Sequence, residues 1–257
     1  GGISYQYARL QSEQEFPQKA NINRQFNNVL PSLMMRYSFS KTRNLRMFYR
    51  SSVDAPSVSQ LQNVVDNSDP LFLSIGNPNL GQSMSNFLVS RYSSTNPDKS
   101  TTFFLLANVR NQMDYITNAT FILNQDSVFA NGIEVNRGTQ VSAPINLDGY
   151  WNVRTLATYG FPLSFIKSNL NSSLGFTYIR TPGFINDQEN VSNSYNYTGG
   201  LVLGSNISEN VDFTLSYTVD YTQVQNSLQP QLNDDYISQT FRGKVNLIFG
   251  KGFVFRS

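Results

Sequence analysis

Over residues 211–222 apolar and polar side chains alternate without interruption. Val211, Phe213, Leu215, Tyr217, Val219 and Tyr221 fall on one side, and Asp212, Thr214, Ser216, Thr218, Asp220 and Thr222 on the other. Successive side chains of a strand point to opposite faces, so this run makes a ribbon with one aromatic, apolar face and one hydrophilic face. A single ribbon of this kind suits a soluble sandwich as well as a membrane protein. A chain built from many of them, joined alternately by short and long polar connections, describes an antiparallel transmembrane β-barrel with lipid outside and water or a folded plug inside.

The pattern recurs along the chain. Leu33, Met35, Tyr37 and Phe39 alternate with Met34, Arg36 and Ser38; Leu170, Leu174, Phe176 and Tyr178 alternate with Asn171, Ser173, Gly175 and Thr177. Near the end, Phe241, Val245, Leu247 and Phe249 oppose Arg242, Lys244 and Asn246. The spacing predicts about ten strands, within the range of membrane barrels. Short turns are expected near residues 41, 96, 164, 207 and 251, and long loops near 18, 70, 127, 187 and 229. Between the last long pairs, polar loops are expected over 181–194 and 223–235. The strand that opens at Thr101 is expected to run past Tyr115 to Leu123, with a hairpin tip over 124–131 and a return leg over 132–159. Sorting of loop lengths by end is what a barrel with one rim in the periplasm and one outside requires.

Composition narrows the chemistry. Of 257 residues only 14% are charged, with a net charge of +2, no cysteine and no histidine. No run reaches the ~18 apolar residues of a spanning helix. Without histidine there is no Ser-His pair, imidazole base or imidazole metal ligand, and without cysteine no disulfide or thiolate site. The small, dispersed charge gives no footprint for nucleic acid. Asp212 and Asp220 lie about 26 Å apart on one strand, too far for paired-carboxylate catalysis. Neither an enzyme nor a cofactor is therefore expected. Tyr37, Tyr49, Tyr92, Tyr150, Tyr159, Tyr178, Tyr217 and Tyr221 fall toward strand ends, where an interfacial aromatic girdle belongs.

The loop after Val53 carries the most specific signal. It reads Ala55-Pro56-Ser57-Val58-Ser59-Gln60-Leu61, then Asp69-Pro70-Leu71, then Gly76-Asn77-Pro78-Asn79-Leu80, and it follows the strand Asn44-Leu45-Arg46-Met47-Phe48-Tyr49-Arg50. Three prolines fix φ, and Gly76 with Asn77 allows a sharp reversal, so a rigid folded loop is expected, one able to close over a barrel mouth. A strand of this kind, followed by Pro-Ser-x-x-Gln-Leu and Gly-Asn-Pro-x-Leu, resembles the barrel of Bacteroidetes-type TonB-dependent outer-membrane receptors, within the outer membrane protein β-barrel group. Ala55 departs from the bulkier or basic residue expected before the proline.

That resemblance implies localisation in the outer membrane of a Gram-negative bacterium, in contact with its lipid, and a barrel of about 22 strands. Residues 1–257 are then expected to be one β-barrel segment, an internal portion under half of the whole, with the plug elsewhere. The implied function is TonB-dependent uptake of a metal chelate, an oligosaccharide or a peptide; the implied partners are the plug, TonB and a SusD-like lipoprotein. A passive porin, a structural barrel or an adhesin without TonB coupling stays open. Pro56, Gln60, Leu61, Asp69, Pro70, Gly76, Asn77, Pro78 and Leu80 are the candidate site residues, as loop scaffold or in contact with ligand. Arg46, Arg50, Arg110, Asn171, Thr177, Asp212, Thr214, Asp220, Arg242 and Lys244 are expected to face a plug or water.

Overall fold

A computed structural model of the chain describes residues 1–14, 20–128, 134–205, 211–249 and 253–256. The connections expected near residues 18, 207 and 251, and residues 129–133 of the expected tall hairpin, lie outside these. The first strands are β1 (Gly2–Gln14), β2 (Ala20–Ser40) and β3 (Arg43–Asp54), followed by the one-turn helix α1 (Val58–Leu61). Next come β4 (Val65–Asp69), β5 (Phe72–Ile75), β6 (Ser83–Asn96), β7 (Thr101–Met113) and β8 (Tyr115–Ile122). After the short pair β9 (Ser127–Val128) and β10 (Glu134–Val135) follow β11 (Gln140–Leu147), β12 (Tyr150–Leu163) and β13 (Ser168–Ile185). The chain continues through β14 (Gln188–Ser205), β15 (Val211–Asn226), β16 (Asp234–Phe249) and β17 (Phe253–Arg256).

Eleven of these make a wall in the order β1-β2-β3-β6-β7-β12-β13-β14-β15-β16-β17, every neighbouring pair antiparallel. The protein is all-β. Among the described residues β1 pairs only with β2 and β17 only with β16, so the sheet is open. An 18-residue strand such as β13 extends about 59 Å, while a tilted strand needs only about 10 residues to cross a bilayer. The wall therefore stands well clear of the membrane on one side. Turns at Lys41-Thr42, Pro97–Ser100 and Ser164–Ile166 are short, as expected, and close the opposite end.

Residues directly opposite one another in neighbouring strands share a face, so each face can be traced across the wall. Tyr37, Leu45, Tyr92, Leu105, Ala157, Leu174, Gly199, Val219 and Gln239 form one continuous row. Leu174 and Phe241 on this face are each 70% exposed, a state that suits hydrocarbon and not water. Aromatics band the face near its ends: Tyr37, Phe39 and Tyr92 pack edge to face, with Phe103 tilted against Tyr92, near the short turns, and Tyr178 stacks on Tyr195 toward the far rim. Trp151 and Tyr159 lie eight residues apart on β12, about 26 Å, matching the height of a lipid-facing band between girdles. Two tyrosines depart from the expected girdle. Tyr150 faces the other way and stacks on Tyr115 at 4.5 Å, and Tyr217 sits in mid-strand opposite Leu201 and Phe241.

Three expectations about connections are corrected. The polar loop over 181–194 is absent: β13 and β14 run on to a two-residue turn at Asn186-Asp187, both with positive φ (45° and 65°), the backbone of a tight hairpin. The loop over 223–235 shrinks to 227–233 around a 3-10 turn at Pro230–Leu232. The long hairpin is not straight. It breaks at Asp114 (φ 51°) on the way out and at Gly149 (φ 95°) on the way back, and β8 and β11 leave the wall.

Candidate functional site

What leaves the wall folds into a cap. β11 pairs with β8 and, in parallel, with β5; β4 pairs with β5, and β8 rejoins the wall beside Phe184 and Ile185 of β13. Every buried hydrophobic side chain among the described residues lies here: Leu61, Leu73, Leu80, Ala119, Val135 and Val141. Leu73, Val135 and Val141 pack together, with Val65, Ile75, Phe121 and Leu123 around them.

The loop motif builds the cap from inside. Pro56 is buried. Ser57 is the N-cap of α1: its hydroxyl accepts from the Gln60 N–H (3.2 Å), while the Gln60 side chain accepts from the Ser57 N–H (2.9 Å), a reciprocal capping box. The next residue, Leu61, is 1% exposed. The Asn77 N–H donates to the Gln60 carbonyl at 2.6 Å, which brings the Gly-Asn-Pro turn against α1. A Cβ at Gly76 would stand 2.0 Å from the Gln62 carbonyl oxygen, so only glycine permits the approach. Leu80 closes the turn, buried.

The same turn ties the cap to its surroundings. Asn77 donates through Nδ2 to the Pro144 carbonyl (3.0 Å), and Asn146 exchanges two hydrogen bonds with the Gly81 backbone (2.7 and 3.3 Å). The Pro78 carbonyl accepts from the Arg24 guanidinium, and Asn28 donates to Gln82 at 2.9 Å. Arg24 and Asn28 share the face of β2 that carries Met34 and Arg36, so the cap leans over the side away from lipid. Asp69 and Pro70 lie apart, at the exposed tip of the β4–β5 hairpin. There Asp69 accepts from the Leu71 N–H (2.9 Å), and Leu71 and Phe72 are more than half exposed.

Six of the nine sequence-predicted site residues thus converge on one junction: Pro56, Gln60, Leu61, Gly76, Asn77 and Leu80. Pro78 reaches the wall, and Asp69 with Pro70 marks the tip. Beside the junction a cleft of about 380 Å³ opens, bordered by Gln60, Gln62, Asp66, Ser74, Asn118 and Ser142. Val64, Ile75 and Pro144 complete a mixed lining, in which the one charged group is Asp66, whose carboxyl is held below its ordinary value by the Ser68 N–H at 3.0 Å.

Beneath the cap, the inner face of the wall divides in two. One row reads Arg36, Arg46, Arg91, Leu106, Leu156, Gly175, Thr198, Asp220, Ser238 across the strands from β2 to β16. The next row toward the cap reads Met34, Phe48, Val89, Asn108, Arg154, Thr177, Asn196, Thr222, Tyr236. The row above that begins Ser32, Arg50, Phe87, Arg110, Asn152. From β2 to β12 the face therefore presents six exposed arginines set among apolar side chains, and the Arg110 guanidinium lies 5.6 Å from the Phe87 ring centre. From β13 to β15 it presents mainly hydroxyls and amides, where Asp220 accepts from Thr198 (2.6 Å) and Asp212 from Asn246 (2.9 Å), and on β16 Arg242 and Lys244 join this face opposite Ser216 and Thr214.

Sequence reasoning placed Arg46, Arg50 and Arg110 on this face and set Arg36 on the side of its strand away from Leu33, Met35, Tyr37 and Phe39, but passed over Arg91 and Arg154. The signal that joins them is the register between strands.

A family model described as the outer membrane protein beta-barrel family matches residues 1–253. Neither a curated protein nor a solved structure matches the chain.

Proposed function

The chain belongs to the outer membrane protein beta-barrel family and resides in the outer membrane, and from that premise we propose that it is wall and cap of a TonB-dependent receptor. The whole protein takes up a scarce nutrient, a metal chelate, an oligosaccharide or a peptide, with a plug in the lumen that TonB displaces. The observation that carries this reading is the cap. A loop that folds on its own hydrophobic core and leans over the lumen side of β2 is suited to enclosing a ligand at the outer mouth. Specific contact with cargo then comes from the cleft beside α1, on a rigid scaffold. The exposed Leu71 and Phe72 at the cap's tip offer an apolar contact to a SusD-like lipoprotein seated above. Catalysis has no part in the proposed role.

Closure supports the same reading. An open sheet leaves the edges of β1 and β17 with unpaired backbone groups, which hydrocarbon does not tolerate, so further strands complete the barrel. Conductance of the full-length protein, purified from native outer membranes into planar bilayers, tests the proposal. A plugged receptor is silent until urea loosens the plug. A steady current without urea would replace the receptor by a porin.

A further inference from the structure

The division of the inner face points to where the plug is held. Arg36, Arg46 and Arg91 stand directly opposite one another on three adjacent strands, about 5 Å apart. Like charges in that relation repel. Arg50, Arg110 and Arg154 extend the patch to five strands and three rows, about 19 Å wide and 13 Å tall. Among the described residues the ion pairs comprise only Arg180 with Glu189, at the rim, and none of the described carboxylates pairs with this patch. Its surface is not that of a wet channel either. Met34 is 75% exposed there, and a depression of about 390 Å³ on this face is bordered by Arg36, Arg46 and Arg91 together with Met34, Phe48 and Val89. Arginine interleaved with aromatic and aliphatic side chains is the composition of a protein interface, and the patch is far larger than one small anion needs.

We infer that the plug is clamped to the inner face of β2–β12 through its own carboxylates, and that the hydroxyl- and amide-rich face of β13–β15 borders the hydrated path along which cargo passes. The inference rests on the receptor reading above. Charge complementarity fixes the partner's chemistry: an acidic, partly apolar surface of a folded segment in the lumen. The face of β13–β15 offers no cation to grip carboxylates. Asp212 and Asp220 there are already hydrogen-bonded to their neighbours, and its hydroxyls exchange readily with water.

The test uses the full-length protein in planar bilayers, with R36Q/R46Q/R91Q, R36K/R46K/R91K and S216F compared against wild type. The glutamine triple should open at a urea concentration lower by about 1 M, with the folded barrel's migration on unheated gels unchanged. The lysine triple should restore most of the difference. S216F, on the opposite wall, should open at the wild-type urea concentration and pass less current once open. Identical opening of the glutamine triple and wild type would overturn the clamp and leave the receptor standing. Steady anion-selective current from wild type without urea would overturn both, and would assign the arginine row to ion selectivity.

Discussion

Cap and wall handle apolar side chains in opposite senses. In the cap, leucines and valines are turned inward: Leu61, Leu73, Leu80 and Val141 are each less than 5% exposed. In the wall, residues of the same kind are turned outward, and Leu174 and Phe241 are each 70% exposed. One stretch of chain obeys the rule for a protein in water, the other the rule for a protein in hydrocarbon, and the boundary falls at Asp54, Met113 and Tyr150. Stability in the two regions therefore answers to different solvents, and substitutions should separate them.

The largest expected effect is in the cap. Gly76→Ala forces a Cβ into the Gln62 carbonyl, and should cost about 4 kcal/mol. Limited proteolysis of intact outer membranes should then cleave between β3 and β6, while the barrel keeps its folded migration on unheated gels. Leu174→Arg should do the reverse. It places a charge on the lipid face opposite Ala157 and Gly199, should cost about 2 kcal/mol, and should lower the temperature at which the barrel band shifts without exposing the cap to protease. If either variant moves both readouts together, cap and wall are one cooperative unit and the distinction fails. Ser57→Ala removes the capping box of α1 and should cost about 1 kcal/mol, seen as faster cleavage near Val58.

Acid gives the smallest effect. Asp66 sits below its ordinary pKa because the Ser68 N–H holds its charged form. A depressed carboxyl contributes stability that is complete above the unfolded value and is lost as pH falls through the folded one. Cleavage of the β4–β5 hairpin by pepsin should therefore quicken as pH drops below the ordinary carboxylate range. Asp66→Asn should abolish that dependence and leave barrel migration unaltered at every pH.

The wall was legible in the sequence wherever lipid imposes its alternation, as along β15 and the lower half of β13. It became illegible above the membrane. Residues 181–194 lose the apolar-polar alternation because neither face there meets lipid, so continuing strands resemble a loop; the Asn186-Asp187 pair was the remaining mark of a tight hairpin. The cap was foreseen as a rigid loop from its prolines and Gly-Asn, yet its sheet was not. The break at Gly149 had a signal in the Asp148-Gly149 turn dipeptide, whereas the matching break at Asp114 had none. The arginine patch could not be read from one dimension, since Arg36, Arg46 and Arg91 become neighbours only through register.

Gly149 shows how the break on the way back is held: the Arg180 guanidinium donates to its carbonyl at 2.5 Å, filling the space a side chain would take.

Both cap segments leave and re-enter the wall between strands that are already paired. Asp54 stands opposite Ser83, and Gln112 opposite Tyr150. The wall's register is thus indifferent to what lies between those pairs, and each segment behaves as a cassette that can be exchanged without reweaving the barrel. Neither cassette is free of the other, because Asn77 is bound to Pro144 and Gly81 to Asn146. Inheritance of a new specificity would then require both to change hands together, as one linked pair on an unaltered frame.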